Sequence, residues 1–540
     1  MIENKKIRTI LIVTSIVLLW SYFAGLPIDV TRDAGKYATI AKEMFQNKEY
    51  INLTVHGDAY DQKPPMLFWM ATLGFSIGGI SNFWFKFPVL LLVFAGFYWA
   101  FQLGKSLYNK RVGYLTATFL AFSVMYMLYS MDIHTDTLLQ AFITFALWQL
   151  FEFIKTKKNK HWILGFTGIG LAMLSKGPIG AAIPAFAVIG HILLKRDFKF
   201  LFDYRWFLGI ILAFIIVSPA FIGLMNQFGW EGIWFFFWEN NVGRITGTYV
   251  QAFNDPIYFI HNLAYLFLPW ALLFFISVFF EFKSLFKTRF KANEYFTFSG
   301  IWIFFVIISL SKNQAPNYIF GIVPLIAVLT AKWVDIALDS KKKLKIFKPT
   351  QNFVFVVLWL MIFTLNLYLF PSLSPITWVV VITGLLTSIY IIYKFKEPFS
   401  QLVAPSLITF ACLSLVLNTH AFPFIFSHQA PPKAARHFTE TASKENNLYN
   451  YRYGQYELFF YSEPQATLLK TTTDLKNAVE KPGSWIFTNP DGKFSFDSLR
   501  IQPDTIIEYQ HLYLNWGGRF INPNTRDKVL QPLYLIKLPN

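Results

Sequence analysis

A single cysteine, Cys412, in 540 residues leaves no partner for an intrachain disulfide and no thiolate set for a metal. Charge is scarce as well. Only 15% of the residues are Asp, Glu, Lys or Arg, against 54% hydrophobic and 19% aromatic, and the mean hydropathy is +0.41. A soluble globular domain does not tolerate that balance, so the composition describes an integral membrane protein. A Walker-type phosphate loop, a Cys/His zinc pattern and a dinucleotide fingerprint are also missing. No internal repeat of the kind on which many transporters are built is visible in the sequence.

What charge there is leans one way, with 48 Lys and Arg against 31 Asp and Glu, a formal net charge of +17. Its placement follows the membrane and argues against a nucleic-acid partner. Apolar stretches of bilayer-spanning length fall near 8–27, 83–104, 112–129, 137–154, 161–175, 178–194 and 206–225. Others fall near 257–280, 294–311, 317–338, 351–370, 376–393 and 401–419, about thirteen spans in all. With Lys5, Lys6 and Arg8 held in the cytoplasm, alternate loops should be basic. They are: Lys105/Lys110/Arg111, Lys155–Lys160, Lys195–Arg205, Lys283–Lys291, Lys341–Lys348 and Lys394/Lys396. The first stretch reads as an uncleaved anchor, since no small-residue cleavage site follows it.

This threading divides the chain into a transmembrane part, 1–419, with a long first external loop at 28–82, and a polar part, 420–540. An odd number of crossings puts the polar part outside the cytoplasm, in the periplasm above a bacterial inner membrane. A break is expected at Ala430-Pro431-Pro432. Helical patterning near 432–443 and 473–481 alternates with strand-like runs at Tyr456–Tyr461 and Ser484–Thr488, which predicts a small α/β domain. The threading also collects the concentrated ionisable residues of the hydrophobic body on the external face: Asp33, Lys36, Lys63, Asp132, Asp136, Lys176, Glu239, Arg244 and Lys312. Charge near a bilayer core is expensive, so its collection on one face points to a shared site.

In the first loop, Asp33 stands where a helix should begin, with Lys36 and Tyr37 three and four residues on and therefore on the same face. Such a carboxylate can orient or deprotonate a hydroxyl. The same spacing also suits a helix-capping aspartate. Lys63 precedes Pro64-Pro65, which fix the first turn of a helix and would hold an ammonium at headgroup level. There it suits a phosphate, or it snorkels like any interfacial lysine. Asp132, His134 and Asp136, at i, i+2 and i+4, are residue types that bind divalent ions. With no further ligands clustered around them, a hydrogen-bonded polar site is the preferred reading and no metal is assigned.

Three segments in order, Asp33-Ala34-Gly35-Lys36-Tyr37-Ala38, Lys63-Pro64-Pro65 and Leu174-Ser175-Lys176-Gly177-Pro178, resemble the aminoarabinose transferase of lipid A. They resemble more widely the protein-mannosyltransferase-like branch of GT-C glycosyltransferases. The resemblance covers roughly residues 8–340, and the thirteen-span plan with an external C-terminal domain is similar too. It implies a GT-C-like α-helical polytopic protein that transfers a sugar from a polyprenyl-phosphate donor to an acceptor at the outer face of the inner membrane.

By position, Asp33 matches the family's catalytic first-loop aspartate and Lys63 its carrier-phosphate lysine, while Lys36 stands where arginine is commoner. Asp136 resembles a second acidic position that places donor or acceptor, with Asp132 and His134 as neighbouring extras. Lys176 resembles a lysine near the sugar. Trp238-Glu239-Asn240-Asn241-Val242-Gly243-Arg244 looks like an acidic segment followed by a phosphate-gripping arginine; taken alone, Glu239 and Arg244 would read as a surface pair. In Lys312-Asn313-Gln314-Ala315-Pro316-Asn317-Tyr318, Tyr318 matches a phosphate-contacting tyrosine, whereas Gln314 occupies the family's lysine position and leaves Lys312 displaced.

The implied roles are therefore Asp33 as the catalytic residue and Lys36, Lys63, Arg244 and Tyr318 on the donor phosphate. Tyr37, Asp136, Lys176 and Glu239 would position sugar or acceptor, with Asp132, His134, Asn240 and Lys312 as further candidates. Ala34 and Gln62 replace two family acids, which lowers negative charge beside the phosphate and fits a neutral sugar. The acceptor is a lipid A or other envelope glycolipid, or alternatively a secreted polypeptide, as in protein O-mannosyltransferases. A lipid-linked-sugar flippase is the competing class outside enzymes.

Overall fold

Each of the thirteen apolar stretches falls on a helix or a run of two or three consecutive helices in the computed structural model, which describes residues 4–249, 255–372, 374–443, 445–514 and 517–539. The helices that frame the site are α1 (Lys5–Ala24), α2 (Arg32–Asn47), α3 (Met66–Gly78), α4 (Asn82–Leu107) and α5 (Lys110–Ala121). They are followed by α6 (Val124–Met131), α7 (Thr135–Thr156), α8 (Asn159–Lys176) and α9 (Ile179–Lys195). Among the described residues, eight helices are long and apolar enough to cross a membrane, and a ninth arises if α5 and α6, bent by 51°, form one broken span. Met66–Gly78, Ile179–Lys195 and Phe296–Ser309 are apolar but shorter. Length alone therefore secures fewer crossings than the thirteen stretches read from hydropathy.

The bundle is centred on α7, which packs against α4 and α8 and is buried along nearly its whole length. Alternating Gly and Ala allow that approach: a Cβ on Gly168 would lie 3.0 Å from Ala146. The first external loop is itself structured. It holds α2, a short antiparallel hairpin of β1 (Thr54–Val55) and β2 (Asp58–Ala59), and α3. Lys86, fully buried on α4, donates from Nζ to the carbonyl of Ile28 at 2.6 Å and so ties the strand of chain entering α2 to the bundle.

The polar C-terminal region is a five-stranded sheet of β3 (Leu448–Tyr451), β4 (Thr467–Leu469), β5 (Trp485–Thr488), β6 (Thr505–His511) and β7 (Gln531–Lys537), in the order β4-β3-β5-β7-β6. β3 runs parallel to β4 and β5, while β7 is antiparallel to β5 and β6. Side chains alternate between the two faces. Phe487 and Leu535 pack beneath the helix Ala430–Thr441, and Ile486 and Ile536 pack with Leu475 and Phe496 on the other side.

Three expectations change. Tyr456–Tyr461 holds a short helix, Glu457–Tyr461, rather than a strand; its aromatic residues suit a pleated sheet, but Phe459 and Phe460 are buried and the segment packs on α2. The break expected at Ala430-Pro431-Pro432 falls just before it, at 427–429 between two helices, and the double proline lies inside the second helix. It occupies the buried first turn of Ala430–Thr441, the one place in a helix where a missing N–H costs nothing. Finally, the ionisable residues of the body are not confined to one end of the bundle. Glu281 accepts from Lys332 Nζ at 2.7 Å and from Trp333 Nε1 at 2.6 Å, and Arg111 bonds Asp335 and Asp339. Asp335 lies 17 residues after Tyr318 along one helical segment, about four to five turns away, so this is a separate structural cluster.

Candidate active site

A cavity of about 510 Å³ opens between the first loop, the starts of α7 and α9, and the segment 240–245. Its wall carries Asp33, Lys36, Lys63, Asp136, Lys176 and Arg244, together with Tyr37, His134 and Tyr318. Residues from separate stretches of the sequence thus share one space.

Asp33 and Lys36 come from the first turn of α2. Lys36 Nζ lies 3.3 Å from Asp33 Oδ1, and the Asp33 side chain remains 56% exposed toward the cavity. Burial pushes the Asp33 carboxyl up, but Lys36, His134 and Lys63 outweigh it and hold the group below the usual carboxylate range. It is therefore ionised at neutral pH and accepts hydrogen bonds. Tyr37, buried on the next position, sets its ring edge-on to His134.

Lys63 is fixed just before α3 by Pro64 and Pro65 and donates to the Gln62 carbonyl at 3.1 Å. Burial, with Lys176 and Arg244 beside it, pushes its ammonium down to about 7. Lys176 ends α8, where Gly177 at φ +87° turns the chain sharply into Pro178 and α9. Only glycine takes that conformation without strain. The turn aims Lys176 at Asp136, with Nζ 2.5 Å from Oδ1, and Asn317 donates to the other oxygen at 2.7 Å. The Lys176 ammonium also rests 4.7 Å from the centre of the Tyr318 ring.

Arg244 follows a wide-turned stretch of π-helix, Phe235–Gly243, a geometry common at functional sites. Its Nε donates to Asn240 Oδ1 at 2.8 Å and its Nη1 to the Tyr318 hydroxyl at 3.2 Å, while Asn240 Nδ2 reaches the Gln62 carbonyl at 3.0 Å. Lys63 and Arg244 are thus joined through the Gln62 backbone. Neither has a carboxylate within ion-pair distance among the described residues, in contrast to Lys36 and Lys176.

Other candidates lie elsewhere. Glu239 is exposed and lines a different, open recess with Asp61 and Glu231; Asn240, one position on, is the residue turned inward. Asp132 holds His134 Nε2 at 3.1 Å but faces a separate apolar cavity beside Phe422 and Phe520. Lys312 is exposed, and its backbone N–H bonds the Ile245 carbonyl. Burial disfavours a charged His134, yet Asp132, Asp136 and Asp33 outweigh it and raise the imidazole above its ordinary value. Among the described residues no three His, Cys, Asp or Glu side chains gather as a metal cluster. Sequence reasoning missed Asn317 and the Gln62 carbonyl as members of the site. It also missed Tyr456, whose ring lies 5.5 Å from Lys36 Nζ across the interface with the C-terminal domain.

Residues 62–222 match the family of dolichyl-phosphate-mannose-protein mannosyltransferases. An uncharacterised protein of Aquifex aeolicus is 27% identical over 67% of this chain and 70% of its own length. The undecaprenyl phosphate-alpha-4-amino-4-deoxy-L-arabinose arabinosyl transferase 2 of Proteus mirabilis is 25% identical over 64% of this chain, and the match spans 63% of that relative's length. In fold, the chain superposes on the crystal structure of ArnT from Cupriavidus metallidurans bound to undecaprenyl phosphate with a TM-score of 0.74, at 16% identity and over 97% of both chains. With the motifs and the cavity described above, these likenesses give the chain the fold of ArnT and make it similar in sequence to undecaprenyl phosphate-alpha-4-amino-4-deoxy-L-arabinose arabinosyl transferases and, over residues 62–222, to dolichyl-phosphate-mannose-protein mannosyltransferases.

Proposed function

We propose that this protein transfers a sugar from a polyprenyl-phosphate carrier to a lipid A or other glycolipid acceptor at the periplasmic face of the inner membrane. The observation that carries the reading is the pair Lys63 and Arg244, two basic groups on the cavity wall with no carboxylate at ion-pair distance among the described residues. An unpaired pair of cations beside a lipid bilayer is costly unless an anion arrives, and a carrier phosphate is such an anion. The guanidinium offers a planar fork to phosphate oxygens and the ammonium a point charge.

In the reaction, an acceptor oxygen attacks the anomeric carbon while its proton passes to the Asp33 carboxylate. The bond from that carbon to the phosphate oxygen breaks and leaves its electron pair on the phosphate. Lys63 and Arg244, with Tyr318 on the guanidinium and Lys36 nearby, stabilise the negative charge that grows there. A phosphate leaves without needing a proton, so the site requires no general acid. Lys176, held by Asp136, contributes to placing the sugar.

The test is transfer by the purified protein in nanodiscs supplied with undecaprenyl-phosphate sugars, neutral and amino, and with lipid A, glycolipid and polypeptide acceptors, read by mass spectrometry. The proposal expects a lipid product. Product on polypeptide alone would favour protein O-mannosyl transfer, the activity named by the matching family model. Movement of the lipid-linked sugar across the bilayer without any transfer would sink the enzyme reading.

A further inference from the structure

The helix that carries Asp33 does not cap itself. Thr31, the residue before α2, is extended and its side chain makes no bond to the first turn, although threonine is a good capping residue. The next residue, Arg32, takes φ +51°, a left-handed conformation that is unfavourable for a residue with a Cβ. The N–H of that residue donates instead to Glu457 Oε1 at 2.5 Å, from the C-terminal domain. Glu457 is 1% exposed, its other oxygen is met by the Tyr453 hydroxyl at 3.5 Å, and a Cβ on Gly35 would come within 3.0 Å of its Cγ. Thr39 on α2 also donates to the Tyr456 carbonyl at 3.0 Å. A carboxylate at a helix N-terminus complements both the free N–H groups and the helix dipole. Keeping an acid in so dry a place is otherwise unfavourable: burial pushes its carboxyl up to about 7.

We infer that Glu457 is a positioning residue for Asp33: from the C-terminal domain it caps the first turn of α2 and fixes the backbone from which the Asp33 carboxylate reaches into the cavity. The inference rests on the reading of Asp33 as the catalytic residue. Glu457 touches neither donor nor acceptor. Its effect should be on turnover, and binding of the donor, which depends on Lys63 and Arg244, should be spared.

The test compares Glu457→Ala, Glu457→Gln, Gly35→Ala and Asp33→Asn in the full chain, with kcat, donor KM, undecaprenyl-phosphate affinity and thermal midpoint measured for each. Glu457→Ala is expected to lower kcat about tenfold or more while donor KM stays within about twofold. Glu457→Gln, whose amide oxygen can still accept from the Arg32 N–H, should restore most of the turnover. Gly35→Ala approaches the same contact from the helix side and should also lower kcat, so the inference remains testable if Glu457→Ala does not accumulate. Parental kcat in Glu457→Ala, a Glu457→Gln variant as poor as the alanine, or equal losses of turnover and donor affinity would each overturn it. Normal turnover by Asp33→Asn would instead defeat the reading of Asp33, whatever Glu457 does.

Discussion

The Arg244 guanidinium donates to the Tyr318 hydroxyl at 3.2 Å, and the two residues, 74 apart in sequence, both line the cavity. Arg244 leaves a stretch of π-helix and Tyr318 a turn of 3₁₀-helix. The bond orients the arginine's fork without neutralising it, and no carboxylate lies at ion-pair distance among the described residues, which suits the binding of an anion. Replacing Arg244 with Ala or Lys63 with Ala should weaken undecaprenyl-phosphate binding by about tenfold or more each, in line with the loss of a charge-assisted contact of roughly 1.5–3 kcal/mol. Calorimetric titration of the purified protein checks this, and parental affinity in both variants would remove the phosphate assignment.

Asp33→Asn should bind the donor phosphate like the parent and turn over at least about a hundredfold more slowly. The substitution keeps the size of the side chain and removes only the charge that accepts the proton. Near-normal turnover would exclude Asp33 as the acceptor-activating group.

Donor binding should depend on pH through Lys63. Its free-state value of about 7 lies below that of an ordinary lysine because of burial and of Lys176 and Arg244, and an arriving phosphate favours the charged form. Bound Lys63 therefore titrates higher than free Lys63. Affinity is greatest below the free value and falls as pH rises from there, by up to about tenfold per unit until the bound value is passed. Between the two values, binding takes up a proton, seen as a buffer-dependent enthalpy. A flat pH profile in the parent, or an unchanged slope in Lys63→Met, would refute the assignment.

Asp136→Ala strands the Lys176 ammonium in a nearly closed position. Removing one partner of a buried pair costs about 3–5 kcal/mol, so the thermal midpoint should drop clearly. The double variant Asp136→Ala/Lys176→Met should regain much of it while staying impaired in transfer. No recovery would mean that the two side chains do not act as a pair.

Topology is open to direct labelling. In a Cys412→Ser background, a cysteine at Ser443 should react with a membrane-impermeant thiol reagent in spheroplasts and one at Lys342 should not; both positions are exposed on the protein. The opposite pattern would put the site on the cytoplasmic side and end the periplasmic proposal.

What could be read from the sequence were contacts encoded locally. Asp33 and Lys36 share a face because they are three residues apart on a helix, and Lys63 is announced by the two prolines that follow it. Lys176 is announced by the Gly-Pro that stops its helix. Contacts closed only by tertiary structure could not be read that way. Asn317 meets Asp136 across 181 residues of sequence, and nothing near either one signals the other. Glu239 shows the limit differently. It and Asn240 are neighbours in a polar run, and only the register of the wide-turned helix decides that Asn240 faces Arg244 while Glu239 faces outward. The strand at 485–488 is legible from its β-branched and aromatic residues. The helix at 457–461 is not, because packing on α2 overrides the same kind of composition.

The cap on α2 also sets an order of assembly. The acceptor oxygen of Glu457 lies 425 residues downstream of the N–H it satisfies, and Lys42 on the same helix waits for the carbonyls of Phe459, Phe460 and Ser462. A nascent chain can thread its membrane helices and bring Lys63, Lys176 and Arg244 together before those groups exist. The cap on the helix bearing Asp33 is completed only when the region around residue 457 has been made and folded, so on the proposed reading the groups that hold the donor are synthesised before the group that finishes the helix meant to use it.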